Sequence, residues 1–228
     1  MKYKKLPRSF YIRPTLTVAK DLLGKYFVRK LRGKTLVGKI VEVEAYLGER
    51  DPASHAFRGM TARNDVMFRE GGHLYVYFTY GMHYCCNVVT EGIDKGRAVL
   101  IRAVEPVEGI DLMMRNRFGS NSTTVGNEMM KSPRQRMARF KTVHHSEGEL
   151  SNGPAKLCQA FGITKDQNGI DLLGEQIFVA TGDAVPSPKI AATTRIGIKN
   201  GKEKKWRYFL PENPFISRKV IHKKRGDP

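Results

Sequence analysis

The chain has 228 residues, of which 40% are hydrophobic and 9% aromatic, enough for one substantial core and short for two, so we expect one domain over residues 1–228. It has no apolar run near the roughly 20 residues of a membrane span and no apolar secretion signal after its first methionine, which predicts an intracellular protein. The net charge of +18 indicates a polyanionic partner, such as nucleic acid, or an anionic surface.

A helix is the first predicted element. Residues 15–25 place their apolar side chains on one helical stripe, with Thr15 or Thr17 as N-cap and Gly24 in the C-terminal position.

A half-buried strand follows at 36–46, where apolar residues alternate with period two. One face would carry Val41, Val43 and Ala45, and the other Ile40, Glu42, Glu44 and Tyr46.

Residues 51–57 have the pattern of a short helix. Asp51 is a suitable cap and Pro52 suits the first helical position, so His55 would lie on that helix.

Residues 74–89 predict two β arms joined by a turn at Tyr80 and Gly81, because glycine permits the turn. A strand at 96–104 and a helix at 105–117 come next, and the Gly/Ser/Asn-rich, then basic, segment 118–150 predicts a mobile loop.

The last predicted elements are a helix at 151–162, with Pro154 at its start and Gly162 at its end, and closing strands within 190–198 and 204–210. We find no internal repeat.

The basic residues are concentrated outside the middle of the chain. Residues 1–34 carry eleven Lys and Arg against one acidic residue, whereas residues 35–112 carry eight basic and eleven acidic side chains. This distribution is typical of an enzyme that acts on nucleic acid and keeps its carboxylates at the reaction site.

The cysteines indicate neither disulfides nor a metal site. Cys85 and Cys86 are adjacent and would not readily bridge each other, Cys158 stands alone, and no Cys-x-x-Cys pair or His/Cys cluster is present. We therefore expect no metal and buried, reduced thiols.

Three ordered motifs carry a resemblance to a known family. They are the segment KIVEVEAYLGERDPASHAFRG, the hairpin GHLYVYFTYGMHYCCNVV and the strand RAVLIRAVEP, with further similarity in SNGPAKLCQAFGI, TTRIGI and WRYFLPENPFIS. The chain resembles the alkyladenine DNA glycosylases, also called 3-methyladenine or methylpurine DNA glycosylases, over most of its length except the loop at 118–150.

The resemblance implies an α+β fold: a compact domain on a curved antiparallel β-sheet, similar to the C-terminal domain of methionyl-tRNA formyltransferase, with surrounding helices and a protruding β-hairpin. It also implies a monomer without a metal or organic cofactor, acting on double-stranded DNA that contains damaged purines.

The resemblance also assigns roles to residues of this sequence. Glu44 matches the general base that orients the attacking water, and Arg102 matches a residue near Glu44 and the backbone of the reacting nucleotide. The residues that match the base pocket are Tyr46, His55, Tyr77 and Asn87. A structural role for Asn87, or an ion-pair role for Arg102, remains an alternative.

Tyr80 matches the side chain that is inserted into duplex DNA where the flipped nucleotide leaves, and Met82, which follows it in the same turn, is expected to take part in the insertion. His83 departs from the aromatic residue common at its position in the family.

Cleavage of an N-glycosidic bond develops positive charge on the sugar, which a carboxylate at Glu44 would stabilise while accepting a proton from water. Expected substrates are 3-methyladenine, 7-methylguanine, hypoxanthine and ethenoadenine, and the product would be an intact abasic site, since the group contains no lysine placed to form a Schiff base. The alternatives are a non-catalytic, basic RNA- or DNA-binding module of the same fold and a helix-hairpin-helix glycosylase, whose lysine or iron-sulfur features are not visible.

Overall fold

The computed structural model describes residues 3–79, 81–119 and 147–217. Tyr80, most of the loop predicted at 118–150 and the basic C-terminal tail lie outside the described residues. Of that predicted loop, Phe118 ends a helix and residues 147–149 form a short 3-10 turn.

One antiparallel sheet organises the described residues, which confirms the α+β class and the curved antiparallel sheet. Its strands are β1 Tyr26–Leu31, β2 Lys34–Tyr46, β3 Leu74–Thr79, β4 His83–Thr90, β5 Arg97–Glu108, β6 Ile177–Ala180, β7 Ala191–Thr193 and β8 Arg207–Phe209. They follow the order β3-β4-β5-β2-β1-β6, and β8 pairs with both β2 and β7.

Helices cover this sheet. They are α1 Arg8–Tyr11, α2 Thr15–Leu22, α3 Ile110–Phe118 and α4 Pro154–Phe161. The last three place side chains such as Leu22, Met113 and Phe161 in the main core against β2 and β5. Nowhere in the described ranges does a helix combine the length and the apolar character needed to cross a membrane.

The predicted helix at 15–25 is confirmed as α2, but its cap was wrong. Pro14 is the N-cap and Thr15 is the first helical residue, because the Thr15 hydroxyl bonds to Glu91 and Thr90 instead of capping the helix. Gly24 has φ +81 just beyond the helix, and its N–H donates to the carbonyl of Ile40, as a glycine at this position permits.

β2 is confirmed, but the predicted division of its faces was wrong. Ile40 joins Val43 and Ala45 in the main core, whereas Val41 packs in another cluster with Phe209. The cause is a pair of register shifts against β5 on either side of Glu42, since a bulge reverses the alternation of faces. β2 is also buried on both faces between residues 40 and 45, not half-buried.

The helix predicted at 51–57 is absent, and successive turns take its place. Hydrogen bonds there span three residues, as from the Ser54 N–H to the Asp51 carbonyl and from the Phe57 N–H to the Ser54 carbonyl. The Asp51 side chain does bond to the Ala53 N–H, yet it also pairs with Arg195, which holds the segment against another part of the chain.

The helix predicted at 105–117 begins later, at Ile110. Residues 105–108 extend β5, where Glu105 and Pro106 pair with Lys39 and Gly38 of β2. Strand pairing therefore overrides the helical pattern until Gly109, whose φ of +79 turns the chain into α3.

The remaining predictions of elements are confirmed, the last helix and the closing strands in shorter form. The hairpin is β3 with β4, α4 starts at Pro154 and ends before Gly162 at φ +65, and the closing strands are β7 and β8. β1, β6 and α1 were not predicted.

Candidate active site

A cavity of about 480 Å³, a size typical of small-ligand sites, is lined by residues of β3, β4 and β5 and by the last residue of β2. Five residues proposed from the sequence line it together: Tyr46, His55, Tyr77, Asn87 and Arg102. Its other walls come from the turn at 52–53 and the segment 196–200.

Glu44 lies immediately behind this lining and is fully buried. Its Oε1 accepts the backbone N–H of Ile196 at 2.7 Å and lies 3.2 Å from Nη1 of Arg102, and its Oε2 accepts the hydroxyl of Tyr46 at 2.9 Å. All three partners line the cavity. A carboxylate oxygen can accept two hydrogen bonds, so Oε2 has capacity for a further donor such as water.

Arg102 is held between two buried carboxylates. Its Nε donates to Glu42 at 2.9 Å while its Nη1 faces Glu44, so the guanidinium bridges them. Burial alone would lower the pKa of Arg102, but the charges of Glu44 and Glu42 outweigh burial and raise it. The arginine is therefore a permanent cation at the cavity wall.

Tyr46 is packed between the carboxylate and a second buried ion pair. The Arg195 guanidinium lies 4.7 Å from the centre of the Tyr46 ring and pairs with Asp51 through contacts of 2.5 and 2.7 Å. Burial and the neighbouring Glu44 charge raise the pKa of Tyr46 well above its usual value. Its hydroxyl therefore stays protonated and donates to Glu44.

Three further aromatic side chains lie together in the cavity wall. The His55 and Tyr77 rings meet edge to face at 4.4 Å, and the Tyr75 and Tyr77 rings stack at 5.6 Å. His55 Nδ1 lies 3.0 Å from the hydroxyl of Tyr75, which fixes the ring. Partial desolvation, with the positive charge of Arg63, lowers the pKa of His55, so this ring is neutral at pH 7.

Asn87 lies on β4 directly opposite Tyr75 of β3. Its side chain is 4% exposed and donates one N–H to the Tyr75 carbonyl at 3.2 Å. This bond holds the amide in the cavity wall, where the remaining amide groups can meet a bound base.

The tip of the β3–β4 hairpin carries exposed apolar side chains. Met82 is 67% exposed and Phe78 is 47% exposed, while Gly81 has φ +67 in the turn. His83 Nδ1 is buried without a hydrogen-bond partner among the described residues. Tyr80, the proposed wedge, lies outside the described residues.

Three features of the site were not predicted from the sequence. Glu42 binds Arg102, Arg195 binds Asp51 and packs on Tyr46, and the segment 196–200, including Lys199, lines the cavity. The motif TTRIGI had been assigned only to a strand. In the described ranges, no group of three or more His, Cys, Asp or Glu side chains is placed to hold a metal ion.

Sequence comparison gives the family. The methylpurine-DNA glycosylase family profile matches residues 9–214. A Carboxydothermus hydrogenoformans protein named "Putative 3-methyladenine DNA glycosylase" is 48% identical to the chain, with 94% of the chain and 99% of that protein aligned. Proteins of the same name from Alkaliphilus oremlandii and Methanocella arvoryzae are 43% and 44% identical, with 94% of the chain and 100% and 96% of each relative covered.

The match spans the strands and turns that build the cavity. The chain therefore belongs to the methylpurine-DNA glycosylase family and is a DNA glycosylase, a hydrolase of base-excision repair.

Proposed function

We propose that this chain, as one glycosylase domain and a monomer, removes alkylated or deaminated purines from double-stranded DNA inside the cell. It would hydrolyse the bond between base and deoxyribose and leave an intact abasic site. The observation that carries the proposal is Glu44, a buried carboxylate whose partners Tyr46, Arg102 and Ile196 all line one aromatic cavity.

The cavity suits a base that has left the helix. A glycosidic bond inside a duplex is out of reach until the nucleotide is extruded, at a cost of a few kcal/mol. Tyr46, His55 and Tyr77 offer aromatic surfaces in the cavity lining, and stacking on such surfaces contributes about 1–3 kcal/mol per base.

Glu44 and Arg102 carry the chemistry in this proposal. A water oxygen bonds to C1′ as the C1′–N bond breaks, the base leaves with the bonding electrons, and the water gives a proton to Glu44. The carboxylate also faces the positive charge that develops on the sugar. Arg102 remains charged throughout, holds Glu44 in place and can contact the phosphate of the flipped nucleotide.

Asn87 would select among purines. An amide held in the wall by Tyr75 can hydrogen-bond to a base or oppose the exocyclic amine of normal guanine. The relatives' name gives 3-methyladenine, and we extend the proposed substrates to 7-methylguanine, hypoxanthine and ethenoadenine.

A non-catalytic binding module is the less favoured alternative. Such a module has no need of a buried carboxylate and arginine behind an aromatic cavity.

Base release from duplexes that each contain one of these lesions, read as strand cleavage after alkali, tests the function directly. Glu44→Gln should bind DNA as the parent does and lose excision by orders of magnitude, because an amide cannot accept the proton. Glu49→Gln is the matched control, since Glu49 is an exposed carboxylate on the turn that follows β2. Parent-like single-turnover excision by Glu44→Gln would refute the proposed base.

A further inference from the structure

Glu42 is a second buried carboxylate, two residues before Glu44 on β2 and fully enclosed. It does not line the cavity, and the chemistry proposed above does not use it. The register shifts on either side of it bring it close to its neighbours on β5 and β8.

Four donors converge on Glu42. Its Oε1 accepts Arg102 Nε at 2.9 Å, Arg207 Nε at 2.7 Å and the Ser217 hydroxyl at 2.7 Å, and its Oε2 accepts the Ser217 N–H at 2.5 Å. This is more than a solitary ion pair, because three separate parts of the chain meet on one side chain.

The contacts to Arg102 determine where its guanidinium points. Nε is bound to Glu42, Nη2 lies 3.3 Å from the Ser217 hydroxyl, and Nη1 faces Glu44 at 3.2 Å. The guanidinium is planar, so fixing Nε and Nη2 leaves Nη1 one direction to point.

Glu42 also balances charge. Two guanidiniums, Arg102 and Arg207, lie against two carboxylates, Glu42 and Glu44. Burial would raise the pKa of Glu42, yet Arg102 and Arg207 lower it below its usual value, so Glu42 is an anion. Without the negative charge of Glu42, Glu44 would be the one carboxylate of this group left to balance the charges of Arg102 and Arg207.

We propose that Glu42 is a positioning residue of the glycosylase. It directs Nη1 of Arg102 toward Glu44, and its negative charge offsets enough of the positive charge of Arg102 and Arg207 for Glu44 to remain an effective base. This inference rests on the proposed role of Glu44. Glu42 touches neither the cavity nor a base in it, so its effect passes entirely through Arg102 and the local charge.

The pH dependence of excision can distinguish an electrostatic role of Glu42 from a purely structural one. The charged or titratable groups around the two carboxylates are Tyr46 on β2, Cys85 on β4, Arg102 on β5, Arg207 on β8 and Arg195 on the segment after β7. Both tyrosine and thiol have a raised pKa, so neither changes charge below pH 8.

Glu42→Gln therefore leaves an excess of positive charge beside Glu44. We expect the acid limb of the single-turnover pH profile to move to lower pH and the plateau rate to fall, by up to about 100-fold if Arg102 also turns away. Affinity for an undamaged duplex, which offers no flipped nucleotide to Arg102, should stay close to that of the parent, since Glu42 is buried and does not line the cavity.

Three variants complete the test. Glu105→Gln is the control, because Glu105 also accepts a side-chain hydrogen bond, from Asn213, but does not touch Arg102. Glu42→Asp keeps the carboxylate on a shorter side chain. The acid limb of its pH profile should therefore stay where it is in the parent, while the plateau rate falls. The double variant Glu42→Gln with Arg207→Gln removes one charge of each sign, so its acid limb should lie closer to that of the parent than the acid limb of Glu42→Gln does. If Glu42→Gln fails to fold, Glu42→Asp carries the test.

A parent-like acid limb and rate in the folded Glu42→Gln protein would overturn the proposal, as would an equal effect in Glu105→Gln. Glu44→Gln is measured alongside. Loss of excision in Glu44→Gln with an unchanged Glu42→Gln refutes only the positioning role, whereas parent-like excision in Glu44→Gln refutes the proposed base itself.

Discussion

The side chains of the cavity differ in how firmly their neighbours hold them. Glu44 has a donor on each oxygen and Arg102 has a partner for each of three nitrogens, whereas Asn87 uses a single N–H toward Tyr75. Substitution of Asn87 should therefore alter recognition with little effect on Glu44 and Arg102, the proposed catalytic pair.

Asn87→Ser is expected to relax the rejection of guanine. The shorter hydroxyl leaves room where the amide would oppose the exocyclic amine, so slow release of normal guanine should rise while hypoxanthine excision changes little. Cys86→Ser, the adjacent residue whose side chain packs in the main core instead of lining the cavity, is the control for altered packing of β4. An unchanged ratio of guanine to hypoxanthine release would leave Asn87 with a structural role alone.

His55 predicts a pH dependence that differs between lesions. Its pKa is lowered from the usual value of about 6.5, so the ring is neutral at pH 7 and gains a charge only in more acid solution. A charged ring repels a cationic base such as 7-methylguanine more than neutral hypoxanthine. The ratio of 7-methylguanine to hypoxanthine excision should fall as the pH drops below about 6.5.

In the ratio of 7-methylguanine to hypoxanthine excision, the pH effects of groups that act on both substrates alike cancel. In His55→Gln the ratio should no longer vary with pH, because glutamine keeps a hydrogen-bonding group without a titration. The same pH dependence in His55→Gln would assign it to another group.

At the scale of elements, the β3–β4 hairpin is the structure that we propose to reach into DNA. Its tip presents Phe78 and Met82 to solvent, and Arg63 donates to the Phe78 carbonyl at 3.2 Å, which ties the hairpin to the loop after His55. The wedge proposed from the sequence, Tyr80, lies between Thr79 and Gly81 in the chain and outside the described residues.

Tyr80→Ala should weaken flipping without unfolding the protein. An inserted aromatic ring fills the gap left by the extruded nucleotide and offsets part of the few kcal/mol of unstacking. The loss of excision should be largest for stably paired lesions and smaller for mismatched ones. Ethenoadenine fluorescence, which is quenched when the base is stacked, reports flipping directly.

Met82→Ala is the comparison within the same turn. If Tyr80→Ala flips ethenoadenine as fully and for as long as the parent, Tyr80 is not the wedge. If Tyr80→Ala instead melts several degrees lower, the residue belongs to the core.

The elements that were predicted correctly are those whose local pattern agrees with their tertiary environment. The β3–β4 hairpin and α4 have clear turn and cap signals, and Glu44 and Tyr46 fall on one strand face as alternation requires. The errors arise where long-range contacts decide: the bulge at Glu42 depends on pairing with β5, and the turns at 51–57 depend on Arg195, 144 residues from Asp51. Local periodicity carries no information about such partners.

The catalytic pair and the cavity could be proposed from the sequence because the family motifs contain them. Glu42 and Arg195 also lie within family motifs, Glu42 beside Glu44 and Arg195 in TTRIGI. The spacing of these motifs does not indicate that Glu42 binds Arg102 or that Arg195 packs on Tyr46. Those roles follow from geometry alone.

At the scale of the whole molecule, the excess of basic residues predicts strong salt dependence, since each phosphate contact releases condensed counterions. The site places one lysine, Lys199, in the cavity wall. Another exposed lysine, Lys34, begins β2, whose thirteen residues end at Tyr46. At about 3.3 Å per residue, these two ends of β2 are roughly 40 Å apart along the strand.

Lys199→Ala should therefore weaken binding to a short undamaged duplex and reduce the slope of log affinity against log salt by about one. Lys34→Ala is the matched control and should leave the slope unchanged. Fluorescence anisotropy between about 50 and 200 mM salt measures both. Equal slopes for the two variants would place the DNA elsewhere on the surface.

The bond between Glu42 and Ser217 joins residues that are 175 positions apart in the sequence. Contacts between such distant residues tend to form late, since long loops must close first. During synthesis on the ribosome, a growing chain could fold β2 and β5 and still lack the last support of Arg102. We expect chains that end before Ser217 to excise damaged bases more slowly, because Arg102 and Glu42 then lack these contacts.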